Sequence, residues 1–409
     1  MAMKPQRPDV GAEGDLLPPL AGIRVLALEH AVAGPVCTRH LADLGAEVIK
    51  IERPDCGDFA RHYDDFVFGN SSFFVWLNRA KKSLALDVKG EGASAVLERL
   101  VASVDVVVQN LAPGAAARLG LGYDAIASLN PACVLVDISG YGESGPYARK
   151  KAYDMLVQAE GGFMSVTGTE DTPARAGISI VDLATGMYAQ SAVLAALLRR
   201  ARSGRGANVK VAMLDALAEW MMHPLYRHAY NQSMVPRFPD NHPAIAPYGL
   251  HATQDGSVLF SVQNEREWLL FCRIVLGRPE LAACADYATN NARRTHSAAL
   301  TALIERDFSN KSTSAVTALL DEAGIANGRF NDAKALWNHE QLAARDRWRE
   351  IGVPGGHTIR ALLPPVTFTD VEAVMGDVPE LGAHSAEVLR ELRFTPAEID
   401  RLYADGTVA

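Results

Sequence analysis

The chain has 409 residues, 48% hydrophobic and 22% charged, with a formal net charge of −8. That length predicts two or three domains and an ample core. The acidic balance argues against nucleic acid or an anionic membrane as main partner, while local basic patches can still take an anionic small molecule.

The five cysteines are odd in number and no pair is closely spaced. Neither a disulfide framework nor a zinc site is indicated, and reduced thiols in a cytoplasm fit best. Residues 1–18 are polar and Pro/Gly-rich and read as a mobile leader, without the apolar core of a signal peptide. No run of about 18 apolar residues announces a membrane span.

After Pro18 and Pro19, IRVLALEH (23–30) predicts a buried strand. AVAGPV then turns, and CTRHLADLG forms a helix ending at Gly45, a glycine suited to a left-handed cap. AEVIKIE (46–52) is the next strand, which makes a strand–helix–strand unit. KKSLALDV (81–88), VDVVVQN (104–110), CVLVDIS (133–139) and NVKVAML (208–214) continue the strands, with helical stretches between them. ISIVD reads as extended, and DLATGMYAQSAVLAALLRRARSG reads as a long helix stopped by Gly204. This alternation predicts a doubly wound α/β domain.

The pattern changes after residue 222, where Pro, His and Tyr become frequent. GSVLFSVQ (256–263) is a strand candidate, and helical stretches run through 265–325. The reading is a large α/β domain at 19–222 and 335–409, with a smaller α+β domain at 225–330.

The chemical signals are sparse. The turn HAVAGP lacks GxGxxG, and Arg53 directly follows Glu52, so dinucleotide binding is disfavoured. No GxxxxGK[ST] and no HExxH occur. His223, His228, His242 and His251 fall within 29 residues, but loop histidines are more often surface groups than metal ligands, and no metal is expected. Arg53, Arg61, Arg79, Lys81, Lys82 and Arg118 fall at predicted loop ends of the α/β half. There they would suit a polyphosphate, or simply be solvated charge. Asp182 stands where a helix begins. Its plain reading is an N-cap. Peptide dipoles at that place would hold it ionised, and an ionised carboxylate is a potential nucleophile.

Several stretches together resemble the class III CoA-transferase family, which includes formyl-CoA transferase, carnitine CoA-transferase and α-methylacyl-CoA racemase. They are LAGIRVLALEHAVAGPVCTRHLADLGAEVIKIERPDCGDFAR, NRAKKSLALDVKGEGA, NLAPGAAARLGLGYDAIASLNPACVLVDISGYGESGPYA, AYDMLVQAEGGFMSVTG, SIVDLATGMYAQSAVLAALLRRARSGRGANVKVAMLDA, NHPAIAPYG and PELGAHSAEVLREL. They follow the family order from about residue 19 to 395.

The resemblance implies a Rossmann-like large domain built from both chain ends, a smaller middle domain and an interlaced homodimer. It implies coenzyme A as acyl-CoA co-substrate, no tightly bound cofactor, and neither nucleic acid nor membrane as partner. Asp182 matches the family nucleophile, and Asp154 matches an acidic position that assists transfer. Tyr153 stands where the racemases carry histidine. A phenol is a poor base at neutral pH, which favours transfer over racemisation. Arg53, Lys82, Asn110 and Arg118 match CoA contacts.

Two departures from formyl-CoA transferase stand out: Val32 replaces a glutamine, and no tetraglycine loop lies near NHPAIAPYG. Arg227, His228, Arg237 and His242 in the middle domain are candidates to hold a second carboxylate. A dicarboxylate acceptor such as itaconate, mesaconate, malate, citramalate or glutarate, with succinyl-CoA as donor, is therefore expected. Racemisation and intramolecular CoA transfer between two carboxyls remain as alternatives.

Overall fold

The computed structural model describes residues 16–409, so most of the leader expected at 1–18 lies outside the described residues. The chain divides into two units. One comprises the residues up to Phe163, Ala176–Met222 and Arg345–Ala409; the other comprises Met164–Arg175 and His223–Ala344. The second unit thus reaches further along the chain than 330 and includes a short segment taken from between Phe163 and Ala176.

The first unit is built on six parallel strands: β1 Arg24–Leu28, β2 Glu47–Glu52, β3 Lys81–Ala85, β4 Val106–Gln109, β5 Val134–Ser139 and β6 Ala207–Ala212. Their order is β3-β2-β1-β4-β5-β6. Both faces are covered, as parallel sheets require. Successive residues of a strand point to opposite faces. Leu26 and Leu28 therefore join one core with Leu97, Leu100, Val388 and Leu389, while Val25 and Ala27 join another with Leu41, Val193 and Ala196. Residues from the C-terminal segment thus complete a core begun at Arg24. β1 has β2 on one side and β4 on the other, so the strand order reverses there. Ligands of such sheets bind beyond the strand ends at that reversal.

Three helices matter for the site: α1 Ala33–Asp43, α2 Asp154–Glu160 and α3 Ile180–Ser203. Gly186 of α3 lies against α1 so closely that a Cβ there would meet Val36 Cβ at 2.6 Å and the Ala33 carbonyl oxygen at 2.7 Å. Only glycine lets the two helices approach this far. Among the described residues, α3 alone is long and apolar enough to cross a membrane, which the sequence reading did not anticipate. Only part of that apolar surface is covered: Val181, Ala184, Ala189, Val193 and Ala196 are buried, whereas Met187, Leu194 and Leu198 are exposed.

Two further features differ from expectation. ISIVD is not a strand, because α3 already begins at Ile180. A hairpin of β10 Trp348–Val353 and β11 His357–Leu362 belongs to the first unit, turned through Gly355 and Gly356 at φ +89° and +76°. In the second unit, β7 Tyr248–Ala252, β8 Ser257–Ser261 and β9 Ala326–Arg329 form an antiparallel sheet. That unit's core gathers Phe260, Trp268, Phe271 and Phe308.

Candidate active site

The loop that leaves β1 is held from below by buried charge. Glu29 is fully buried and accepts hydrogen bonds from Thr38 Oγ1 at 2.7 Å and Lys81 Nζ at 2.8 Å, with Lys50 Nζ at 3.4 Å. Lys50, also fully buried, donates to Asp58 Oδ2 at 2.9 Å. Two carboxylates and two ammonium groups thus balance in the interior. Burial works against ionised Glu29, but the two lysines outweigh it and hold the carboxyl below its ordinary value. Burial pulls Lys81 down to about 8 against the attraction of Glu29.

Asp58 also accepts from the Ala31 N–H at 3.2 Å, and Ala31 sits at φ +60°. Asn110, just after β4, accepts from the His30 N–H at 2.9 Å and donates to the His30 carbonyl at 2.9 Å. The turn His30–Val32 is therefore fixed from both sides at the point where the strand order reverses, although it contains no glycine. Ala31 and Val32 pack with Phe73 and with Leu183 of α3.

That packing brings the start of α3 to the loop after β1, and Asp182 lies in the first turn of α3. It is not the cap. Ser179 holds the N-cap position and makes no side-chain cap bond. The capping oxygen comes from Asp154 at the start of α2: its Oδ1 accepts the Val181 N–H at 2.8 Å and the Asp182 N–H at 3.2 Å. Asp154 therefore takes the free N–H groups that a helix start offers to an anion.

Asp182 is left half-buried beside a second carboxylate. Burial first, and the negative charge of Asp154 second, lift its carboxyl from 3.8 to about 7. The expectation that the helix start keeps Asp182 charged is thereby corrected, because another residue occupies the dipole. Tyr63 belongs to the same neighbourhood. Burial, then the charges of Asp58 and Asp182, push its phenol up to about 12, so it stays a hydrogen-bond donor. Tyr63 makes edge contact with Phe73, and His30 stacks on Phe59, with ring centroids 5.5 and 5.4 Å apart. Tyr153, the N-cap of α2, is exposed.

The remaining sequence candidates divide into spent and free groups. Lys82 lies within β3 rather than in a loop, and Glu47, Glu387 and Glu391 hold its ammonium at 2.7–3.0 Å. Arg79 and Lys81 are buried, and Arg79 binds Asp43 with two nitrogens. Arg61 grips Glu52 and lies over the Phe74 ring. Both ends of the Asn110 amide are engaged on His30. Arg53 is exposed, with Cys56 Sγ at 2.7 Å, and Arg118 is exposed at the end of a short helix.

Arg227, His228, Arg237 and His242 all lie in the second unit. Arg227 donates to Ser233, Arg237 donates to the carbonyls of Thr169 and Glu170, His242 stacks on Tyr248, and His228 is exposed. Among the described residues no cluster of His, Cys, Asp or Glu is placed to hold a metal ion.

Sequence reasoning missed Gln158, which binds Asp154, as well as Tyr63. For Gln158 a signal existed: it stands four residues after Asp154, the spacing at which helical side chains meet.

A doubly wound parallel sheet with a carboxylate at a helix start packed against its strand-order reversal is the arrangement of an α/β ligand-binding protein. The chain belongs to CoA-transferase family III, whose model matches residues 20–385, and it is a class III CoA-transferase. It is 33% identical to the succinyl-CoA:glutarate CoA-transferase of Mus musculus over 398 residues, covering 96% of this chain and 91% of that protein. It is likewise 33% identical to the succinyl-CoA–D-citramalate CoA-transferase of Chloroflexus aurantiacus, covering 91% and 94%. Among solved structures, a CAIB/BAIF family protein from Brucella suis matches with a TM-score of 0.83 at 32% identity, over 92% of this chain and 100% of that one.

Proposed function

We propose that the protein moves CoA from succinyl-CoA to a small dicarboxylate through covalent intermediates on Asp182. The observation that carries this reading is the half-buried Asp182 carboxyl, whose pKa is lifted to about 7 and whose backbone N–H is already bound by Asp154. A carboxylate of raised basicity is a better nucleophile than an ordinary one, provided it is deprotonated.

Asp182 attacks the thioester carbonyl, the carbon–sulfur bond breaks, and an aspartyl anhydride and CoA thiolate form. The thiolate attacks the aspartyl carbonyl and releases succinate, leaving aspartyl-CoA. The acceptor carboxylate displaces the thiolate to form a second anhydride. The thiolate then attacks the acceptor's carbonyl, giving the new acyl-CoA and free Asp182. No proton is gained or lost over the cycle. Tyr63 donates a hydrogen bond to oxygen where charge develops, and Asp154 orients the helix start.

In this reading Arg53 and Arg118 meet the CoA phosphates, Asn110 holds the turn after β1, and Lys82 ties β3 to Glu47, Glu387 and Glu391. Arg227, His228, Arg237 and His242 hold the carboxylate that does not react. Support for dicarboxylates comes from relatives named for glutarate and citramalate. The enzyme works as a homodimer in the cytoplasm. Exposed Met187, Leu198, Val366 and Phe368 supply apolar surface for a second copy.

A carboxyl titrating near neutrality would also suit proton shuttling at a substrate α-carbon, but Tyr153, which precedes Asp154, is a phenol. Succinyl-CoA assayed with a panel of mono- and dicarboxylates tests the proposal. Turnover of dicarboxylates with ping-pong kinetics is expected. Turnover of monocarboxylates alone would contradict the substrate class, and α-proton exchange without any acceptor acid would favour the racemase chemistry.

A further inference from the structure

Gln158 stands on α2 one turn beyond Asp154 and is completely buried. Its Nε2 donates to Asp154 Oδ2 at 2.6 Å, and its Oε1 accepts the Ala176 N–H at 2.8 Å. These partners fix the amide's orientation, because a carboxylate can only accept and a peptide N–H can only donate. Asp154 therefore has both oxygens engaged: Oδ2 on Gln158, and Oδ1 on the N–H groups of Val181 and Asp182. Ala176 is also where the chain re-enters the first unit, four residues before α3 begins. One amide thus ties together α2, the segment leading into α3, and the carboxylate that caps α3.

We propose that Gln158 is a positioning residue for the transferase reaction: it locks Asp154 onto the α3 N-terminus and so fixes the carboxylate that stands beside Asp182. This rests on the reading of Asp182 as nucleophile. Without the Nε2 donor, Asp154 Oδ2 faces a buried site with its hydrogen bond lost, and the carboxyl rotates away toward solvent. Its negative charge then lies further from Asp182, and the α3 N–H groups become available to Asp182 itself. Both changes favour the ionised form of Asp182 and spoil its orientation. The titratable groups facing Asp182 are Asp154 on α2 and Tyr63, and Tyr63 in turn faces Asp58 and Tyr153. None of them replaces the link that Gln158 makes.

The test uses Gln158→Leu and Gln158→Met; the latter keeps the length of the side chain and guards against a Leu variant that fails to fold. Carbodiimide labels protonated carboxyls, so labelling of Asp182 as a function of pH, read by mass spectrometry, reports its titration without turnover. The wild-type midpoint is expected near pH 7, and the variants' midpoints should fall by about half a unit or more. CoA transfer in the variants should show kcat reduced roughly 10- to 100-fold, with KM for both substrates within about threefold. A labelling midpoint unchanged from wild type in the folded variants overturns the inference. Failure of the transferase reading would appear elsewhere, as Asp182→Ala protein that still transfers CoA, and the labelling shift stands or falls independently of it.

Discussion

At Asp182 two carboxylates meet at one helix start, and the helix serves only one of them directly. Asp154 takes the N–H groups; Asp182 keeps a raised pKa near 7. Since the anionic form is the nucleophile, kcat/KM should rise with pH through about 7 and level off above it. Asp154→Asn removes the neighbouring charge but not the burial, the larger cause. The acid limb of its pH profile should therefore move down only part of the way toward 3.8.

The same shift has a stability consequence. The folded-state value lies above the ordinary 3.8, so the native protein holds this proton more tightly than the unfolded chain does. Ionised Asp182 thus costs stability progressively as pH rises from about 4 to about 7, and fully above that. Asp182→Asn should raise the melting temperature at pH 8 and leave it nearly unchanged at pH 4, while abolishing transfer. Thermal unfolding at the two pH values checks this. A loss of stability at pH 8 would contradict the titration behaviour assigned to this residue.

Between elements, the decisive contacts join α1, α3 and the turn after β1. Gly186→Leu would drive a side chain into Val36 and the Ala33 carbonyl. Overpacking of this kind costs roughly 1–3 kcal/mol, and it would lift Leu183 off the Val32 turn, so both melting temperature and kcat should drop. Beneath that turn, Glu29→Leu leaves two lysines facing one remaining acid. Removing one partner of a buried ion pair costs about 3–5 kcal/mol, which denaturant unfolding would register as a markedly lower midpoint.

The sequence signals for these elements were uneven. Buried parallel strands advertise themselves as apolar runs such as RVLAL and VVVQ, whereas β6, ANVKVA with Asn208 and Lys210 exposed, shows instead an alternation of apolar and polar residues. The true cap of α3 was not legible, because Asp154 lies 28 residues away and only the folded chain brings it there. Lys81 looked like a loop-end cation because its partner Glu29 is 52 residues distant. The β10–β11 hairpin was legible in principle, with Pro354-Gly355-Gly356 between two candidate strands, and was overlooked.

Over the whole molecule, the large unit is assembled from separated stretches of chain. Val388, Leu389, Ile399 and Leu402 complete the core that Leu26 and Leu28 begin. Removing residues 385–409 should expose that core and abolish cooperative unfolding of the unit, measurable by calorimetry. Composition and motif order indicated the architecture and the enzyme class, whereas the division of labour between Asp154 and Asp182 depended on three-dimensional proximity.

The central claim, that Asp182 carries the acyl group and then CoA, has a direct test. Protein incubated with succinyl-CoA and quenched with hydroxylamine or borohydride should show Asp182 modified in its tryptic peptide by mass spectrometry, and no such mark in Asp182→Ala. An unmodified Asp182 in enzyme that is turning over would contradict the account.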